Sequence, residues 1–97
     1  MNLIEAVIHN DVKAVRAALE NGADANACID PALVTPLHFA AQHNAVDVVS
    51  LLITAGAKIN AQTVPDGQTA LDIARLHRHV EMIKLLEELS VRCQDWK

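Results

Sequence analysis

The sequence contains no tyrosine, and Phe39 and Trp96 are its only aromatic residues. A compact globule of this length ordinarily draws bulk from several rings. Here Ala, Leu, Val and Ile must fill the core, which suits helices packed at close range, so an all-helical stack is the first expectation. Cysteine is also scarce. Cys28 and Cys93 stand far apart, outside any CxxC or Cys/His grouping, and read as idle or buried thiols instead of a disulfide frame or metal knuckle. No apolar run approaches the ~18 residues of a membrane span. The start, Met1-Asn2-Leu3-Ile4-Glu5, lacks the basic and long apolar stretches of a secretion signal. A cytoplasmic protein with no membrane partner is expected. An excess of positive charge is missing too: the net charge is −4, the basic residues are scattered, and rings for base stacking are absent. That argues against a nucleic-acid partner. Catalytic groupings are lacking as well. Ser50 and Ser90 have no nucleophile context, Cys28 has no histidine near it in sequence, and no glycine-rich phosphate loop occurs. The chain reads as non-catalytic, with no cofactor.

What is present is repetition. The 97 residues, 52% of them apolar, suffice for one small domain. Sliding the chain by 34 positions superposes Leu3, Leu37 and Leu71, and also Ala6, Ala40 and Ala74. Val12, Val46 and Val80 coincide, as do Val15, Val49 and Ile83. Gly22-Ala23 falls on Gly56-Ala57, and Asn26-Ala27 on Asn60-Ala61. Each unit reads as two short helices. In the middle unit Leu37, Ala40 and Ala41 mark one helical face, and Val46, Val49, Leu52 and Ile53 another. Asn44 lies between them, where the chain must turn through left-handed backbone angles that asparagine tolerates. Asn10 and Arg78 hold the equivalent places, the arginine at some strain. Gly56 reads as a helix C-cap. The connections after the second helices carry turn chemistry, Asp30-Pro31 in the first and Val64-Pro65-Asp66-Gly67 in the second, the latter suiting a type I turn at a hairpin tip.

Thr35-Pro36-Leu37-His38-Phe39-Ala40-Ala41 resembles the T-P-L-H-x-A signature of the ankyrin repeat. Val48-Val49-Ser50-Leu51-Leu52, Ala55-Gly56-Ala57 and Ile59-Asn60-Ala61 resemble the rest of that unit. Asp66 to Ala74 looks like the degenerate motif of a C-terminal capping repeat, and Leu3 to Asp24 like an N-terminal cap. The resemblance implies an all-α ankyrin-repeat solenoid of three helix-turn-helix units joined by β-hairpin-like loops. The repeats would span about 1–34, 35–68 and 69–90, with a tail at 91–97. Both connections are one residue longer than the family's, and Leu33 stands where Gly67 stands in the next connection. One unit cannot bury its apolar faces alone, and about three are needed. Glu5, in the slot of Phe39 and Ile73, and Glu87-Glu88, after Leu86, make the outer units more polar, as a complete small stack requires.

The resemblance also implies a protein-binding role through hairpin tips and a concave groove of first helices, of adaptor or inhibitor type. It gives Thr35 and His38 a structural role, bonding within and between units, a role that changes where Asp72 replaces the histidine. His9, His43 and His77 share one slot facing the groove. They are polar groove residues, partner contacts or pH-sensitive groups. No single ion can gather all three at the ~2 Å that zinc demands, so no metal is expected. Ile8, Gln42 and Leu76 lie beside them, giving the mixed apolar and polar surface typical of interfaces. Ile29, Leu33 and Val34 are apolar at an expected exposed finger. With Gln68, the candidate protein-binding residues are Ile8, His9, Ile29, Leu33, Val34, Gln42, His43, Gln68, Leu76 and His77. Residues 1–34 carry five acids against Lys13 and Arg16, while Arg75-Leu76-His77-Arg78-His79 is a small basic cluster. The partner is expected to be another protein. The alternative is a homodimer formed through the apolar Ile29–Val34 finger or through Trp96, which otherwise folds back on the last helix.

Overall fold

The computed structural model describes residues 2–27 and 32–94, with side chains as far as Ser90. Cys28, Ile29, Trp96 and the Cys93 side chain, on which some of the expectations above fall, lie outside the described residues.

Among the described residues six helices run in pairs. They are α1 (Leu3–Ile8) with α2 (Val12–Glu20), α3 (Pro36–Gln42) with α4 (Val46–Thr54), and α5 (Ala70–Leu76) with α6 (Val80–Gln94). The first helix of every pair starts on the same reciprocal cap. Asn2, Thr35 and Thr69 each accept a side-chain hydrogen bond from the backbone N–H three residues on, and Glu5, His38 and Asp72 each reach back to the cap's own N–H. Such boxes satisfy two of the helix's orphan donors at once. Glu5 therefore does more than keep the outer unit wet: it closes the first cap, its Oε1 accepting from Asn2 N–H at 3.4 Å.

The helix ends are equally regular. Asn10, Asn44 and Arg78 take φ of 53°, 56° and 58°, and Gly22 and Gly56 take 97° and 98°. Around Asn10 the Asp11 N–H donates to Ala6 C=O at 2.9 Å and the Asn10 N–H to Val7 C=O at 3.0 Å. Gly22, Gly56 and Arg78 repeat this pair of bonds. It is the left-handed C-terminal closure that satisfies a helix's last carbonyls.

The units stack in two rows. α1, α3 and α5 pack side by side, α2, α4 and α6 form the second row, and the first row is the tighter. Small residues allow that closeness: Ala6, Ala40, Ala41 and Ala74 are fully buried. Between the rows Val7, Val15, Val48, Val49, Leu52, Met82 and Leu86 complete one continuous core. Each of the larger of these is worth about 1.5–3 kcal/mol on burial.

Polar ties fix the spacing between units. Asn26 donates to Gly56 C=O and accepts from Lys58 N–H, both at 2.8 Å, pinning the end of the first unit to the second connection. The Asn10 amide donates to Asp47 at 3.0 Å. The His79 Nδ1 donates to Ala41 C=O at 2.9 Å, tying the third unit to the second. The second connection departs from the expected four-residue type I turn. The Gly67 N–H donates to Thr63 C=O at 2.8 Å, making a wider turn in which the Val64–Pro65 bond is cis. The Thr63 N–H closes its base on Gln68 C=O at 2.9 Å.

Candidate functional site

The central polar feature is His38, 1% exposed, beside Thr35, 4% exposed. Thr35 N–H donates to His38 Nδ1 at 3.0 Å, so that nitrogen is an acceptor. Nε2 lies 3.0 Å from Ala61 C=O and 2.9 Å from Gln68 C=O, which can only accept. This network fixes a neutral ring protonated at Nε2. Burial lowers the ring's pKa below 6.5, opposed in part by its bonds to the Gln68 and Ala61 carbonyls. One side chain thus caps α3 and clamps both arms of the second connection. Asp72 fills the same place on α5 and changes the bond's character as expected. Its carboxylate accepts from Thr69 N–H at 3.1 Å, and it is exposed. A carboxylate has no proton to offer a neighbouring carbonyl, and no later connection among the described residues lies over it, so it caps without clamping.

Against this clamped connection lies an open depression of about 310 Å³ between the fingers and the helices α3 and α5. Five of the residues singled out from sequence meet there: Val34, Gln42, Gln68, Leu76 and His77. Leu76 is 69% exposed. Ile8, His9, Leu33 and His43 are not brought into it. Ile8 is half-buried on the first unit, His9 and His43 are exposed at the ends of α1 and α3, and Leu33 is exposed on the first finger. The histidine slot holds as a register, since His9, His43 and His77 all terminate first helices. His77 stacks instead on His79, with ring centres 5.6 Å apart. Among the described residues no three His, Cys, Asp or Glu side chains gather as metal ligands.

Sequence reasoning missed the other half of the lining: Ala32, Thr63, Val64, Asp66 and Ile73. Val64 is 45% exposed and had passed as turn chemistry beside Pro65. Its backbone N–H donates to Ala32 C=O at 2.9 Å, joining the two fingers into one wall. That bond connects residues remote in sequence, so no local pattern announces it. Ile73, half-buried on α5, gives no sign of its place in the lining from its slot, which it shares with half-buried Phe39 and exposed Glu5.

Charge is unevenly placed. Asp66 is the one carboxylate in the lining, and no lysine or arginine joins it. Arg75, on α5 next to Leu76, is paired with Glu87 of α6 at 3.0 Å. No helix among the described residues is long and apolar enough to cross a membrane.

A comparison with curated proteins finds no match. A family model for ankyrin repeats matches three copies over residues 3–95. Ankyrin repeats are generally protein–protein interaction modules. The paired helices, their shared caps and left-handed turns, and this match over nearly the whole length agree: the chain belongs to the ankyrin-repeat family.

Proposed function

We propose that the protein is a non-catalytic cytoplasmic module of adaptor or inhibitor type that holds another protein in the depression between its joined fingers and α5. The observation that carries this reading is the exposure of Leu76 and Val64 on the wall and floor of one open depression. Apolar side chains left in water around a polar rim mark contact surfaces. Gln42, Gln68, Asp66 and His77 supply that rim. Ile8, His9, His43 and Leu33 extend the contact toward the first unit. A stack this short presents an interface of standard size or smaller.

A photo-crosslinking residue placed at Leu76 or Val64, and as a control at Lys84 on α6, tests the assignment in cells. Adducts to a discrete protein are expected from positions 76 and 64 and not from 84. Adducts from all three positions alike, or from 84 alone, would overturn it. Self-association through a face other than the finger or Trp96 expected from sequence is favoured by one separate observation, the 60% exposure of Val80 at the start of α6. Sedimentation at micromolar concentration decides it: a monomer removes self-association, and a dimer dissolved by Val80→Asp establishes it.

A further inference from the structure

The geometry points to a partner segment that is apolar and basic: one large apolar side chain seated on Leu76 and Ile73, with a lysine or arginine lying toward Asp66. This rests on the depression being the contact site, and adds the chemistry of what it holds.

Three observations carry it. The lining is apolar at its floor and finger walls, through Ile73, Leu76, Val34 and Val64, and its volume of about 310 Å³ suits one large side chain with the backbone that bears it. Its only formal charge is the carboxylate of Asp66, exposed and with no ion pair among the described residues. An apolar occupant therefore gains from a cation at that end, whereas an acidic flank meets like charge and finds no lysine or arginine in the lining to pair with. The third observation is the net charge of the chain, −4. The depression is thus apolar with a carboxylate at its finger rim, on a chain that is negative as a whole. A basic-apolar segment is complementary to it at contact range and, in low salt, during approach.

Asp66 is in the turn before α5, and Leu76 ends that helix; both line the one depression. The cation of the occupant accordingly falls near its apolar anchor in sequence.

The test uses the intact protein to select from a phage-displayed library of random short peptides. Binding of the strongest selected peptide is then measured by fluorescence anisotropy to the parent, Leu76→Ser and Asp66→Lys proteins. Both positions are exposed, and circular dichroism melting confirms that each variant is folded. Selected peptides are expected to share an apolar residue with a nearby Lys or Arg. Binding should weaken about tenfold or more with Leu76→Ser and about threefold to fivefold with Asp66→Lys, less in high salt. A repeat selection on Asp66→Lys should favour Asp and Glu at the flanking position. Peptides sensitive to Leu76→Ser but acidic or indifferent to Asp66 would overturn the basic-apolar assignment while leaving the contact site standing. Peptides indifferent to Leu76→Ser, or no enrichment at all, would overturn both.

Discussion

α3 and α5 begin with the same reciprocal hydrogen bonds, yet one start is sealed inside the protein and the other faces water. The difference lies in the third cap residue and in the second connection, which covers α3 while no later connection among the described residues covers α5. His38 has one nitrogen to accept from Thr35 and another to donate to the carbonyls of Ala61 and Gln68. Asp72 has only acceptors, and its carboxylate bonds within its own cap. The same local grammar therefore makes a cross-link in the middle unit and a simple helix start in the third. The middle unit is committed to holding the stack together. The third keeps Leu76 in the open, where a partner can reach it.

The sharpest way to break this comparison is to remove each third-position side chain in turn. His38→Ala should cost about 3 kcal/mol in urea unfolding, because the Ala61 and Gln68 carbonyls lose a buried donor and the α3 cap is lost. Asp72→Ala should cost only about 0.5–1 kcal/mol, the ordinary value of a cap. Equal losses would mean that His38 is not a clamp.

Acidification probes the same contrast. Burial makes the folded chain hold the His38 proton less tightly than the unfolded chain, where histidine titrates near 6.5. The unfolded state gains protons first as the pH falls. The contribution of His38 is therefore complete above 6.5 and declines below it, until the folded ring itself titrates. Urea midpoints measured down through this range should fall, and His38→Ala should flatten that fall.

Backbone strain gives a smaller effect of opposite sign. Arg78 holds a φ of 58° where the other units use asparagine, and Leu33 holds 57° where the second connection has Gly67 at 65°. Arg78→Gly or Leu33→Gly should each raise stability by up to about 1 kcal/mol, through release of left-handed strain offset by greater freedom in the unfolded chain. A loss of stability in both would show that these side chains make contacts outweighing the strain.

Much of the fold was legible in the sequence because its constraints are local and recur. The 34-residue offset aligned the core slots, Asn10 and Asn44 marked the turns within units, and Gly22 and Gly56 marked the ends of α2 and α4. Leu33 read as a departure from the glycine of the next connection, yet both take left-handed angles. The depression was half legible. Gln42, Leu76 and His77 follow from helix register, but Val64 and Asp66 depend on how the second connection turns, and the expected type I turn was the wrong shape. The bond from Val64 to Ala32 and the bond from His79 to Ala41 join different units, and no spacing rule reveals which polar groups will meet across them. Glu5 read as a solvating substitution because its partner, Asn2, sits one residue out of the 34-residue register that Thr35 and Thr69 keep.

If holding and binding are separate, a change at Leu76 alters contact without altering the fold. Leu76→Ser, combined with a photo-crosslinking residue at Gln42 on the same depression, measures both in one protein. Thermal unfolding should stay within about 0.5 kcal/mol of the parent, as for an exposed position, while the partner adduct from position 42 disappears. An adduct of undiminished yield, or a melting transition lowered as far as that of His38→Ala, would contradict it.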